Sequence, residues 1–469
     1  MEPIKFGTDG WRAIIAKEFT VHNVAKVAQA TASWLLTKTK KPSVLIGHDC
    51  RFAGDLFVET TAKVLAANGI KTLVAKGFVS TPMVSLGILK HKTDLGVVIT
   101  ASHNPPAYNG YKLKGNYGGP LLEEDIHDVE SYLPAENKHD IDQLKLEIFE
   151  KNGLIEYVDL ETMYCQQVES NFDLKLIKNS GFQFAFDAMY GSGQNVMRRL
   201  FPDITLLHCE ENPMFDNIPP EPLHKNLLEF SELIKLSEEI DCGLAVDGDA
   251  DRIALYDNEG NYVDSHHIIL LLIHYLYKYK GWRGKVCTGF SSTVKIKKLC
   301  DHYGLKLDVV HIGFKHICGI MLKEDVLVGG EESGGIAIKG HIPERDGIWN
   351  GMVIWEAMAK TKKTLKELIQ EVYDITGSFA FERSDLRLEV SLKNKIVENC
   401  KNGYYKAFGK YKVQRVEDLD GFKYYFNDDE WVMIRPSGTE PLLRTYAESH
   451  TKAEAIEILK ITYDTLMKS

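Results

Sequence analysis

The stretch LGVVITASHNPP, residues 95–106, decides the fold. Its first half is apolar and β-branched, which predicts a buried strand over Leu95–Thr100, and the two prolines prevent an immediate helix. Ser102 is therefore predicted on a loop at the carboxyl end of a strand, where open α/β sheets bind ligands. With His103 beside it and Lys112 downstream, such a serine can carry a phosphoryl group. Alone, the pattern is also typical of an ordinary turn.

A second loop carries three aspartates at alternate positions, Asp247, Asp249 and Asp251, directly after another apolar run. Carboxylates crowded on a loop repel one another unless a cation lies between them, and oxygen ligands alone favour Mg²⁺. A calcium-binding helix-loop-helix needs glycine and glutamate at positions held here by Arg252 and Asn258, which excludes it. An acidic surface turn is the remaining alternative.

Two further loops are rich in glycine and polar side chains. In GGEESGG, residues 329–335, the backbone can approach a ligand closely while Glu331 and Ser333 reach its hydroxyl groups. In RPSGTEP, residues 435–441, a guanidinium, two hydroxyls and an exposed backbone suit a phosphate dianion, and Arg444 follows closely. Glycine-rich turns without chemistry are the alternative for both.

Composition limits the class of protein. The chain has 469 residues, 44% of them hydrophobic, and a formal charge of -10; this length favours about three or four domains. The acidic balance disfavours binding to nucleic acid or anionic membranes. The eight cysteines are scattered without a C-x-x-C pair, which argues against a zinc site or a disulfide scaffold. No apolar signal core or membrane-length run occurs, so we expect a cytoplasmic protein.

The chain repeats a strand, helix, strand pattern, which predicts α/β units with mixed, mainly parallel sheets. The three predicted copies are strand 43–48, helix 56–67, strand 71–75; strand 182–187, helix 193–200, strand 204–208; and strand 285–289, helix 293–302, strand 307–311. The last hundred residues differ, with predicted strands at 383–390, 423–426 and 430–435 and a helix at 452–467. We therefore predict three successive α/β domains, 1–152, 153–257 and 258–375, and a smaller C-terminal α+β domain, 376–469.

Taken together, the four loops indicate an enzyme that moves phosphate on a sugar phosphate. They resemble, in the same order and one per domain, the signature loops of the α-D-phosphohexomutase superfamily, and GTDGWR, residues 7–12, is similar to that family's opening loop. The resemblance implies four domains around a central cleft. It also implies catalytic, metal-binding and substrate-binding roles for particular residues. The catalytic residues would be Ser102, His103, Lys112, Arg252 and Arg12; the metal ligands Ser102, Asp247, Asp249 and Asp251; and the substrate-binding residues Glu331, Ser333, Lys315, Arg435, Ser437, Gly438, Thr439 and Arg444.

The proton-transfer group is left open between two side chains. A lysine has an ordinary pKa of about 10.4, so Lys112 would need a lowered pKa to act as a base at neutral pH. His103 needs no such shift, but it also suits a supporting role beside Ser102. We therefore hold the two jointly responsible.

The resemblance further implies a Mg²⁺-dependent mutase that interconverts hexose 1-phosphate and hexose 6-phosphate through a phosphoserine and a hexose 1,6-bisphosphate. Glucose is the first choice of sugar because the third loop ends in Gly335, whereas phosphomannomutase and phosphoglucosamine mutase relatives commonly have histidine there. Phosphomannomutase, phosphoglucosamine mutase and phosphopentomutase activities remain alternatives, as does a catalytically silent sugar-phosphate sensor. The expected partner is a small phosphosugar, and the expected assembly is a monomer or homodimer.

Overall fold

The computed structural model describes residues 4–436 and 442–468. The chain forms two compact units, one made of Met1–Gly284 with Gly313–Leu368 and the other of Lys285–Ile312 with Ile369–Ser469. None of the helices in the described ranges combines the length and apolarity needed to cross a lipid bilayer.

The first unit begins with a six-stranded mixed sheet. Across the sheet the strands are Trp11–Ile14, Tyr108–Gly115, Leu95–Ile99, Ser43–His48, Lys71–Ala75 and Ile155–Val158. The last four run parallel, and the first two pair antiparallel. Its helices are Val21–Lys38, Gly54–Ala67, Thr81–His91, Glu123–Ser131 and Leu146–Lys151. Because helices cover the sheet, its parallel strands are apolar on both faces, which explains the continuous hydrophobic run before Ser102.

A five-stranded mixed sheet follows in the same unit. Its strands, in order across the sheet, are Tyr262–Val263, Ile253–Asp257, Cys242–Val246, Phe184–Asp187 and Thr205–Leu207. The accompanying helices are Leu160–Asn171, Leu174–Lys178, Gln194–Leu200, Leu228–Ser237 and Ser265–His274, the last continued by a π-turn at Tyr275–Tyr279. The unit is completed by helix Phe314–Met321, the antiparallel strands Val326–Gly330 and Ile336–Ile338, and helix Gly347–Thr361.

The second unit combines a parallel strand pair with an antiparallel sheet. The pair, Lys285–Gly289 and Leu307–Val310, is joined by helix Lys295–Tyr303. The sheet has the order Ala380–Arg387, Leu442–Ser449, Trp431–Pro436, Phe422–Tyr425 and Arg415–Glu417. Helices Val390–Lys401 and Lys452–Met467 and the small hairpin Ala407–Phe408 and Tyr411–Lys412 complete it, while helix Leu365–Thr376 crosses the boundary between the units.

The predicted strand–helix–strand copies are present, but the strand predicted at 383–390 is wrong at both ends. It spans Ala380–Arg387, and Val390 already begins a helix that the sequence reasoning missed. The alternation of apolar residues continues past 387, but within the described residues the pairing ends where Arg387 meets Leu442. The domain boundaries proposed from sequence stay a prediction.

Candidate active site

Ser102 is held in an unusual backbone conformation. Its φ of 51° lies in the left-handed region, which residues other than glycine rarely adopt. Its N–H donates to Thr100 Oγ1 at 2.8 Å, and its Oγ donates to Asp247 Oδ2 at 2.6 Å. His103 Nδ1 lies 3.3 Å from the same Oγ. The loop therefore directs the buried hydroxyl at the aspartates.

The three aspartates form a buried cluster that fits a hard cation. Asp247, Asp249 and Asp251 are fully buried, and each offers a carboxylate oxygen within 4.8 Å of the others. Within the described ranges, Oδ1 of Asp249 and Oδ1 of Asp251 are buried without a hydrogen-bond donor. Buried carboxylate oxygens need a donor or a cation, and an all-oxygen donor set suits Mg²⁺.

Lys112 contacts the same cluster from strand Tyr108–Gly115 of the first sheet. Its fully buried ammonium lies 2.7 Å from Asp249 Oδ2, 3.1 Å from Asp251 Oδ2 and 2.9 Å from Asp9 Oδ2. Burial alone would lower the pKa of this lysine, but the three carboxylates outweigh burial and raise it. The lowered pKa that a lysine base would need is not present in this arrangement.

The other three predicted catalytic side chains lie around Ser102. Burial, followed by repulsion from Arg252 and Arg12, lowers the pKa of His103 well below its usual value, which favours a neutral imidazole. Arg12 donates to Asn104 Oδ1 at 2.7 Å, and Arg252 pairs with Glu221 at 3.2 Å. A neutral imidazole thus lies beside the serine, and both arginines are near enough to His103 to lower its pKa.

The sequence reasoning missed a buried charge network beside the aspartates. Arg345 lies 2.9 Å from Asp251 Oδ2 and also pairs with Asp9, while Lys114 lies 2.6 Å from Glu344 Oε2. The available signal was the run PERDG, residues 343–347, because consecutive charges directly before an apolar helix are costly to bury without a role.

The predicted sugar-binding loop is joined directly to the aspartate loop. Ile253 N donates to Gly334 O at 3.1 Å, and Arg252 forms a β-bridge with Gly335. Glu331 accepts a hydrogen bond from Gly313 N at 2.8 Å, and its burial, with Glu332 nearby, raises its pKa to about 7. Glu331 is buried at the loop's start.

The remaining predicted sugar-binding residues are placed as follows. Ser333 is half-buried in the same loop, and Lys315 pairs with Glu123 at 3.0 Å. Ser333 is thus accessible to a ligand, whereas the Lys315 ammonium is engaged by a carboxylate.

In the second unit, the predicted phosphate-binding arginines are neighbours. Arg435 and Arg444 are directly paired residues of adjacent antiparallel strands, so their side chains leave the same face. Arg435 Nε donates to Asp420 at 2.9 Å. Like charges placed opposite one another are unfavourable without an anion between them, which suits phosphate binding. Ser437, Gly438 and Thr439 lie outside the described residues.

Comparison with known families identifies the class of protein. The domains described as phosphoglucomutase/phosphomannomutase alpha/beta/alpha domains I, II and III match residues 3–140, 162–260 and 264–375, and the C-terminal domain of the same family matches 392–464. The chain belongs to the phosphoglucomutase/phosphomannomutase family, within the α-D-phosphohexomutase superfamily. The resemblance, the enzyme class of isomerase and the order of three α/β domains and a C-terminal domain are thereby confirmed.

Full-length relatives carry several substrate names. A phosphoglucosamine mutase of Limosilactobacillus reuteri is 30% identical over 95% of this chain and 94% of its own length. A phosphoglucomutase/phosphomannomutase of Thermococcus kodakarensis is 28% identical, with 97% of each chain covered. A crystal structure of a candidate phosphomannomutase from Thermus thermophilus has a TM-score of 0.87 at 30% identity, covering 100% of this chain and 99% of that one.

A substitution at Gly248 tests whether the serine and aspartate loops must approach each other as closely as they do. A Cβ at this position would lie 2.7 Å from Ser102 O and 3.0 Å from Pro220, so Gly248→Ala must push the loops apart. We expect kcat for isomerisation to fall roughly 10- to 100-fold, because sub-ångström misplacement of reacting groups is costly. The assay is steady-state kinetics, with thermal denaturation measured alongside.

Gly319→Ala is the matched control, since its Cβ would meet only Leu122 at 4.0 Å. An unchanged kcat in Gly248→Ala, equal to that of the control, would show that the close approach is not needed.

Proposed function

We propose that this enzyme is a Mg²⁺-dependent mutase that interconverts hexose 1-phosphate and hexose 6-phosphate, with glucose as the preferred sugar. The observation that carries the proposal is the 2.6 Å hydrogen bond from Ser102 Oγ to Asp247, inside a buried cluster of three aspartates. A nucleophilic hydroxyl against a cation-binding carboxylate is the arrangement that stores and transfers a phosphoryl group.

Transfer begins from a Ser102 that carries the phosphoryl group. A free hydroxyl of the sugar phosphate attacks phosphorus, the bond from phosphorus to Ser102 Oγ breaks, and the new bond gives a hexose 1,6-bisphosphate. The hydroxyl proton passes to a base, and Ser102 Oγ, as the leaving group, takes up a proton from an acid, which restores the hydroxyl that donates to Asp247. The bisphosphate then reorients end for end, and its other phosphate is transferred to Ser102. The phosphate thereby moves from one sugar carbon to another without water being consumed.

The chain's own side chains support this transfer. Asp247, Asp249 and Asp251, with the phosphorylated Ser102, would hold Mg²⁺, which neutralises charge on the phosphoryl oxygens. Positioning and charge stabilisation supply most of the rate enhancement in phosphoryl transfer, and Arg252 is placed to contribute charge. His103, 3.3 Å from Ser102 Oγ, is the candidate base, whereas the raised pKa of Lys112 keeps it protonated and suits it to donate a proton.

The sugar phosphate would be held by two sets of groups. Glu331 and Ser333 would bind sugar hydroxyls, while Arg435 and Arg444, with Ser437, Gly438 and Thr439, would bind the phosphate that is not being transferred. The paired arginines support this assignment because a dianion offsets their mutual repulsion. Lys315 would reach the sugar phosphate after exchanging its partner Glu123.

Gly335 supports the choice of glucose. A Cβ there would lie 2.4 Å from Arg345 Cδ, so a histidine at this position would require Arg345 to leave its place beside Asp251. Gly335 thus packs against Arg345, and the loop resembles the phosphoglucomutase form in lacking that histidine.

Ser102→Ala is expected to abolish isomerisation. We expect kcat to fall by roughly 10³-fold or more, because the covalent carrier is lost, and intact mass to lose one phosphoryl group. Ser170→Ala, on an exposed helix end, is the control and should retain both. Full activity in Ser102→Ala would refute the phosphoserine.

Removal of divalent ions tests the metal requirement separately. Treatment with EDTA should stop isomerisation, and added Mg²⁺ should restore it, because without the metal the charge on the phosphoryl oxygens would no longer be neutralised. Undiminished turnover in chelator would contradict the metal site.

A coupled assay of glucose, mannose, glucosamine and ribose 1-phosphates, each with a trace of the corresponding bisphosphate, tests the sugar. We expect the highest kcat/KM for glucose 1-phosphate. A higher value for another sugar would replace glucose with that sugar, and binding without turnover of any of them would indicate a sensor.

A further inference from the structure

One buried arginine gathers the carbonyl groups of the serine loop. Arg51 is 2% exposed, and its Nη2 donates to the carbonyl oxygens of Ser102 and Asn104 at 2.6 Å each. Its Nη1 donates to those of Pro105 and Tyr108 at 2.9 Å each. A planar guanidinium is the only side chain with enough rigid donors to hold four carbonyls at once.

The backbone N–H of Ser102 is also held, through Thr100 and Asp49, by the segment that carries Arg51. Asp49 accepts hydrogen bonds from Arg51 N at 3.0 Å and from the Thr100 hydroxyl, and Thr100 Oγ1 accepts from Ser102 N at 2.8 Å. Ser102 is thus fixed at its N–H through Asp49 and Thr100, and at its carbonyl by Arg51. Both ties start just after strand Ser43–His48, a rigid element of the first sheet.

A further contact restrains the arginine from its other side. The Arg51 guanidinium lies 5.0 Å from the centre of the Phe215 ring, which is itself buried. Phe215 belongs to the segment that leads to Pro220, whose carbonyl accepts from Gly248 N in the aspartate loop. Arg51 is therefore packed between the loop that carries the nucleophile and a segment that contacts the aspartate loop.

From these contacts we infer that Arg51 is the positioning residue that keeps Ser102 in its left-handed conformation and its Oγ in line with Asp247. The Arg51 guanidinium contacts backbone carbonyls, the Asp49 carboxylate at 3.4 Å and the Phe215 ring, so it acts through the loop and not on the reacting atoms. If the backbone of Ser102 left the left-handed region, its Oγ would turn away from Asp247. The inference rests on the proposed phosphoserine. Arg51 itself lies outside the four signature loops.

Arg51→Lys is the first test, because it keeps the positive charge and removes the planar guanidinium that binds four carbonyls. We expect kcat to fall roughly 100-fold while KM for glucose 1-phosphate changes by less than about threefold, since loop position and not substrate binding is affected. The rate at which hexose 1,6-bisphosphate phosphorylates Ser102 should fall by the same factor. Arg283→Lys, which alters another arginine bound to two backbone carbonyls, is the control and should leave kcat unchanged.

Two substitutions at Thr100 keep the inference testable if the Arg51→Lys variant does not fold. Thr100→Val removes the acceptor of Ser102 N and should lower kcat with little change in KM, whereas Thr100→Ser keeps the hydroxyl and should restore it. Wild-type kcat in Arg51→Lys, or in Thr100→Val, would overturn the inference while leaving the phosphoserine intact. Full activity in Ser102→Ala would instead remove the proposed function itself.

Discussion

The burial of carboxylates together with their counter-charges is the constraint on which the site depends. Asp247, Asp249 and Asp251 are removed from water, and an isolated buried carboxylate costs several kcal/mol unless it is paired. The chain supplies Lys112 and Arg345 from two distant segments and leaves two oxygens for a cation. The segments must therefore assemble for the charges to be compensated, so the electrostatics of the site also specify how the first unit folds.

Close backbone approach is the second constraint, and it explains which glycines matter. Gly248 allows the aspartate loop to reach Ser102 O, and Gly334, with φ of 90°, allows the third loop to reach Ile253 O, 2.7 Å from where a Cβ would lie. Three loops thereby converge through main-chain contacts that leave no room for a Cβ at these two glycines. The reactive side chains can then be placed by hydrogen bonds to a fixed backbone.

Much of the fold could be predicted because its signals are local. The strands at 43–48, 71–75 and 285–289 and the helix at 452–467 are predicted with their observed bounds, since apolar runs and turn residues fix them. Strand Leu442–Ser449 was missed because it lies between two neighbours and is buried along most of its length, so clear alternation is absent. Ser102 and the aspartates could be found because each motif is contiguous. Lys114 and Glu344 could not be paired from sequence, because they are 230 residues apart.

The C-terminal sheet contains a local electrostatic conflict between two arginines. Arg435 and Arg444 face one another across adjacent strands, a pairing that disfavours the sheet in the absence of an anion. Asp420 contacts Arg435, whereas Asp385, the strand partner of Arg444 on its other side, pairs with Arg383. A phosphate dianion accepts both guanidiniums at once, which single carboxylates on opposite sides cannot do. The adjacency of two cations is thus a local conflict that an anionic ligand would relieve, and conflicts of this kind are expected at functional sites.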